Sequence, residues 1–376
     1  MKAETKRIIN IKKRLDRRYK NQTFYKGKNM LKIDDLFREA VKKGASDLHI
    51  MANMPPILRI DGELKKLNEY PVLKPKDTEE LCFSIISPKL QETLINQREL
   101  DVSYEIKDLS RFRVNLHWEK NYVGMVARVI STKIPSMESL EMPRIVYELL
   151  RLKQGLLLIT GPTGCGKSTS LAAMIDLINN ERTSHIVTLE DPIEYIFTPI
   201  KCIIRQRQLG SDMLSFAEGL KHVLRQDPNV IMVGEMRDLE TISSTITLAE
   251  TGHLVLATLH TLNAAQSIDR IIDVFPPYQQ PQVRLQLSLF LKGIISQQLL
   301  PRVSGGRVAA REILINTPAI SNLIRENKIA QIKTAIQTSA EEGMFTMDQD
   351  IKNIFEKRQI NETTALTHMV NPEMLK

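Results

Sequence analysis

The stretch "LLLITGPTGCGKSTSLAAMI", Leu156 to Ile175, constrains this chain more than any other. An apolar run, Leu156–Thr160, leads into Gly161-x-x-x-x-Gly166-Lys167-Ser168 and then into a helical pattern. A loop of this kind needs glycines because the backbone must turn sharply and present its N–H groups, with the first turn of a helix, to an anion. A lysine at this spacing reaches the β- and γ-oxygens of a nucleotide, and the following hydroxyl suits Mg²⁺. Gly161, Pro162, Thr163, Gly164, Cys165, Gly166, Lys167, Ser168 and Thr169 are therefore the expected phosphate-binding set, with ATP and Mg²⁺ as ligands. Cys165 stands at a free position of the loop and reads as neutral filler rather than a redox group.

The chain after Pro135 and Pro143 has the pattern that such a loop requires. Short apolar runs alternate with helical patterns: Leu156–Thr160, a helix from Lys167, His185–Leu189, a helix ending before Pro228, Val230–Val233 and Leu254–Leu259. Unbroken apolar strands separated by helices indicate an α/β fold with a parallel sheet covered on both faces. From about residue 280 the sequence reads as mostly helical.

Ligands of open α/β sheets collect at the carboxyl ends of the strands, so the polar residues there carry the chemistry. The second strand ends in "TLEDPIEY", which gathers Glu190, Asp191 and Glu194 where Pro192 enforces a turn. These acids are expected to organise water and Mg²⁺, with Glu190 and Ser168 as the metal-side residues. The third, "NVIMVGEMRD", delivers Glu235 after an apolar run and a glycine, in position to accept a proton from an attacking water. The fourth, "TGHLVLATLHT", carries a histidine at each end. Residues seven apart in an extended strand lie about 23 Å from each other and face opposite ways. His253 and His260 therefore cannot share a metal. His260 belongs to the edge that holds the loop, and His253 to the far end.

Charge weighs against one class of function and leaves another open. The chain of 376 residues has a net charge of +8. Residues 1–32 hold 12 Lys/Arg and 2 Asp/Glu, which leaves 40 basic and 42 acidic residues for everything else. A near-neutral body argues against domains that grip a nucleic-acid backbone. Ile8, Ile11, Leu15 and Tyr19 give the basic segment one apolar stripe, so it reads either as a membrane-surface or partner-binding helix or as a solvated extension. Cys82, Cys165 and Cys202 are too widely spaced for a disulfide framework or a structural zinc site, which suits a reducing cytoplasm.

A first domain is expected over 31–132. Asp34 or Asp35 can cap a helix that runs through Lys43 and stops at Gly44. Asp61-Gly62 signals a hairpin. In "RFRVNLHW", Phe112, Val114, Leu116 and Trp118 share one face, with Arg111, Arg113, Asn115 and His117 on the other.

Taken together, "GPTGCGKST", "LEDPIEY", "LRQDPNVIMVGEMRDLET" and "TGHLVLATLHT" resemble the Walker A, Asp box, Walker B and His box of the type II/IV secretion ATPase superfamily. Within it the chain is most similar to the type IV pilus retraction (twitching motility) ATPases, from about residue 31 onward. "GASDLHI" and "LSRFRVN" resemble that family's PAS-like N-terminal domain, and "GGRVAAREILINTPAISNLIRENKIAQIKTAIQT" its C-terminal helices. Beyond the basic extension at 1–30, which has no counterpart in the short family members, the resemblance implies a PAS-like domain at 31–132, a linker at 133–145 and a RecA-like P-loop ATPase domain at 146–376 with a C-terminal helical part from about 280. It implies a homohexameric ring at the cytoplasmic face of the inner membrane, acting on a platform protein and the pilus machinery. Glu235 would be the general base, Glu190 and Glu194 would support metal and water, and His260 would sense the γ-phosphate. Arg111, Arg113 and Arg128 would close on the phosphates from the N-terminal domain. The chain departs from the family at Lys120–Asn121, Asn229 and Ser321. Alternative readings are a pilus-extension or type II secretion ATPase, a nucleic-acid motor, and a non-catalytic nucleotide-binding regulator.

Overall fold

A computed structural model describes residues 31–60, 62–107, 109–130 and 133–375. The basic extension 1–30, with its expected membrane or partner contact, lies outside the described residues. The chain divides into two units at Val129/Ile130.

The first unit is built on a six-stranded sheet of order β3-β2-β1-β6-β5-β4. Its strands are β1 (Asp47–Ile50), β2 (Ile57–Ile60), β3 (Glu63–Lys66), β4 (Glu99–Ile106), β5 (Ser110–Glu119) and β6 (Tyr122–Ile130). The alternation read in β5 is realised: Phe112, Val114 and Leu116 are buried, and Phe112 stacks on Phe37 with ring centroids 4.2 Å apart. Phe37 comes from the helix Ile33–Lys42, whose Ile33, Leu36, Phe37 and Ala40 form one buried stripe. The expected aspartate cap is corrected here. The N-cap is Lys32, with no side-chain bond, and Asp34 and Asp35 lie in the first turn. There they still oppose the positive helix end, while Asp34 accepts a hydrogen bond from the Tyr104 hydroxyl at 2.7 Å. β2 and β3 pair with Ile60 opposite Glu63, and Gly62 takes a left-handed φ of 85° in the tight turn between them. Lys120 and Asn121 both have positive φ, 46° and 68°, at the β5–β6 turn. That is the backbone a two-residue hairpin of right-handed twist requires.

The second unit contains a seven-stranded sheet of order β13-β12-β7-β11-β10-β8-β9. Its strands are β7 (Gly155–Thr160), β8 (His185–Glu190), β9 (Ile203–Gln208), β10 (Val230–Val233), β11 (Leu254–Leu259), β12 (Leu291–Pro301) and β13 (Arg307–Ile315). β12 and β7 through to β9 are parallel, and β13 is antiparallel to β12. Every residue of β7, β10 and β11 is buried, as strands covered by helices on both faces must be.

Two features of this unit go beyond the sequence expectations. Beyond residue 280 helices predominate as expected, but β12 and β13 form a hairpin that extends the sheet past the loop-bearing strand β7. Gln297, Gln298 and the Ala309–Ala310 pair weaken the strand signal, and burial against neighbours overrides it. The overlooked sign was Gly305-Gly306, with φ of 85° and 76°, which turns the hairpin. The stretch expected to be a linker is docked on the second unit: Met137 and Met142 are buried beside Val146. The guanidinium of the buried Arg311 holds this segment by donating to the carbonyls of Leu140 (2.9 Å) and Glu141 (3.2 Å). No helix among the described residues is long and apolar enough to cross a membrane.

The helix Leu239–Glu250, which carries the chain from β10 towards β11, starts at Asp238. That side chain accepts from the Thr241 N–H (2.8 Å) and the Thr241 hydroxyl (3.0 Å). Asp238→Ala is expected to cost about 1–2 kcal/mol of stability, measured as a lower urea midpoint with unchanged slope.

Candidate functional site

The glycine-rich loop leaves β7 at Thr160 and enters the helix Lys167–Glu181 through Gly166. Gly161, Gly164 and Gly166 all have positive φ (144°, 79° and 87°), a backbone that L side chains rarely adopt. Gly161 is fixed twice over, since a Cβ there would overlap the Gln297 carbonyl and the Cys165 sulfur. Lys167 is buried and its ammonium donates to the carbonyls of Gly161 (2.7 Å) and Pro162 (3.1 Å). Burial pushes the Lys167 ammonium below the usual lysine range, opposed by the neighbouring Cys165 side chain and the carboxylates of Glu235 and Glu194. Ser168 and Thr169 are half-buried on the first turn of the helix, and Thr169 shares a hydrogen bond with the Tyr195 hydroxyl at 3.0 Å.

Glu235 follows β10 at Gly234. The Gly234 N–H donates to Leu189 O at 2.8 Å, and the backbones lie so close that a Cβ there would crowd Leu189 and Glu190. The Glu235 carboxylate is nearly buried and faces two groups. One oxygen meets Arg237 at 2.5 Å and the other lies 3.5 Å from His260 Nε2. The other ring nitrogen of His260 is 3.5 Å from the Thr163 hydroxyl of the loop. The structure thus brings Thr163, Lys167, Glu235 and His260 to one edge of the sheet. His253 sits at the opposite end, where its ring contacts Leu248 O (3.0 Å) and the Thr251 hydroxyl (3.2 Å) at the helix-to-strand turn. That is a structural role.

Glu190 is placed differently from its two acidic neighbours. It is buried and accepts from the Thr188 hydroxyl (2.6 Å) and the Gln206 amide (3.1 Å), and burial pushes its carboxyl above the usual range. Gln206 also donates to Tyr195 O (2.8 Å) and accepts from the Phe197 N–H (3.0 Å), so it ties the turn after β8 in place. Asp191 and Glu194 are exposed on that turn. Asn229 accepts from the His185 N–H at 2.8 Å, which keeps the starts of β8 and β10 in register. Ser321 donates to Ser288 O and fastens the helix Pro318–Arg325 to the preceding one.

Arg111, Arg113 and Arg128 belong to the first unit. Arg113 is exposed and Arg111 half-buried on β5, while Arg128 is exposed on β6 and paired with the buried Asp47 at 2.9 Å. Sequence reasoning missed Gln206, Arg237 and Gln297. Their only signal was polarity in or next to an apolar strand.

Comparison with known proteins identifies the family. Residues 28–340 match the family model described as "Type II/IV secretion system protein". The chain belongs to the type II/IV secretion system protein family. Within this family it is 46% identical to the type IV pilus retraction ATPase PilT of Pseudomonas aeruginosa, over 91% of this chain and 99% of that protein. It is 42% identical to the type IV pilus ATPase PilU of the same organism, over 90% of this chain and 88% of that one. The crystal structure of the pilus retraction motor PilT with bound ADP superimposes with a TM-score of 0.87 at 46% identity, covering 92% of this chain and 99% of that one.

Proposed function

We infer that this chain is an ATP-hydrolysing motor that drives retraction of a type IV pilus. The hydrolytic half of the reading rests on the meeting of Glu235, His260 and Thr163 at the mouth of the phosphate loop. The loop N–H groups and Lys167 hold the phosphates. Glu235 takes the proton of the attacking water, a step worth about 10²–10⁴-fold in rate. His260 lies between the base and the loop, where it can register the terminal phosphate. The donor set suits Mg²⁺: the Ser168 hydroxyl follows Lys167 on the first helical turn, and hard oxygen ligands with retained water are what that ion takes. Mg²⁺ would neutralise charge between the β- and γ-phosphates. The carboxylate of Glu190, already engaged by Thr188 and Gln206, supports the site from behind and orients the turn that carries Glu194.

The retraction half rests on likeness along the whole length of PilT, 99% of which is covered. A homohexameric ring follows from the same likeness, with Arg111, Arg113 and Arg128 closing on phosphates and Asp47 competing for Arg128. Its place would be the cytoplasmic face of the inner membrane, against a platform protein of the pilus machinery. Deleting the gene tests the direction of work. Cells should keep excess surface pili and lose twitching, whereas cells stripped of pili would show an extension motor instead.

A further inference from the structure

β12 runs beside β7 as far as the pair Ser296–Thr160, where the Thr160 hydroxyl donates to Ser296 at 2.8 Å. β7 then gives way to the loop, but β12 continues to Pro301. Its next residue, Gln297, therefore lies where a ladder partner would be and faces the loop instead.

Gln297 is 2% exposed, and its carboxamide is used at both ends. The NH₂ group donates to the Cys165 carbonyl at 2.6 Å, and the oxygen accepts from the Ser170 hydroxyl at 2.9 Å. Its own backbone carbonyl occupies the space beside Gly161, and its amide nitrogen is 3.3 Å from where a Gly166 Cβ would stand. One residue thus touches the start of the loop, its last turn and the helix that follows.

The geometry points to Gln297 as the positioning residue that holds the phosphate loop in its binding form, a role that rests on the nucleotide reading above. In a trans peptide the C=O and N–H point opposite ways. Drawing the Cys165 carbonyl towards β12 turns the Gly166 N–H away from it, to the side on which phosphates are bound. The bond to Ser170 fixes the first turn of the helix against the same strand. Because Cys165 O and the Ser170 hydroxyl are enclosed, losing Gln297 leaves both without their partner.

The test is equilibrium binding of MgATP to the full chain carrying Gln297→Met or Gln297→Glu, beside wild type and Lys167→Ala. Methionine keeps the volume and removes both hydrogen bonds. Glutamate still accepts from Ser170 but sets a carboxylate oxygen against the Cys165 carbonyl. Both are expected to weaken ATP binding by about 10- to 100-fold, to raise KM more than they lower kcat, and to shrink the rise in Tm that ATP produces. Ser170→Ala removes one bond only and guards against misfolding of the other variants. It should weaken binding several-fold, and less than additively with Gln297→Met. Unchanged ATP affinity in folded Gln297→Met and Ser170→Ala, with wild type binding ATP and Lys167→Ala not, overturns the role of Gln297 alone. Wild type failing to bind ATP overturns the nucleotide reading itself.

Discussion

Glu235→Gln should lower ATP turnover by about 10²–10⁴-fold while leaving ATP affinity within a few-fold of wild type. The substitution keeps the shape of the side chain and one oxygen for Arg237 or His260, the two groups that face the carboxylate. What it removes is the capacity to accept a proton. Glu235 binds none of the loop's N–H groups, so the phosphate cradle stays whole. Phosphate release and equilibrium ATP binding, measured on one preparation, separate the two effects. Turnover near the wild-type rate would move the role of base to another residue. Loss of affinity in step with turnover would instead make Glu235 a binding group.

Gly161→Ala should abolish measurable ATP binding, a loss greater than about 100-fold, and also destabilise the second unit. An alanine at φ 144° carries strain of about 1–3 kcal/mol before any contact is considered. Its Cβ would then overlap the Gln297 carbonyl, a backbone atom locked in the β12 ladder. The strand cannot give way, so the loop must, and the N–H groups move off the phosphates. Gly164 makes the informative contrast. It also has positive φ, 79°, but a Cβ there meets nothing within 4 Å. Gly164→Ala should therefore lower Tm modestly, through backbone strain alone. Equal damage from the two variants would mean that strain rather than collision governs the loop.

The parts of this site legible in the sequence share one physical basis. β7, β8, β10 and β11 are buried on both faces, so they spell unbroken apolar runs whose ends are marked by the first glycine or charge. Their carboxyl ends gave Lys167, Glu235 and His260 directly. The same reasoning separated His253 from His260, and their different surroundings follow that split. Gln206 and Gln297 were illegible for the opposite reason. Each acts across strands, on a backbone group 11 residues away for one and 132 for the other, and no local pattern marks such a partner. Arg237 was hidden as one more charge in a polar turn. Glu190 was found as a strand-end acid, but burial and its two hydrogen bonds depend on β9, whose alternation of Ile, Arg and Gln says little about which face is covered.

Lys167 bears on how such a site lets go of its product. The ammonium has two carbonyls of its own loop within reach, at 2.7 and 3.1 Å. An ammonium has three N–H donors, so a phosphate bound at Lys167 would meet a cation two of whose bonds are already made within the loop. Once that phosphate departed, the cation would keep those partners instead of being stranded in a buried pocket. A motor must empty its site on every cycle. In the proposed motor, the exit would be eased by the same loop that makes the capture.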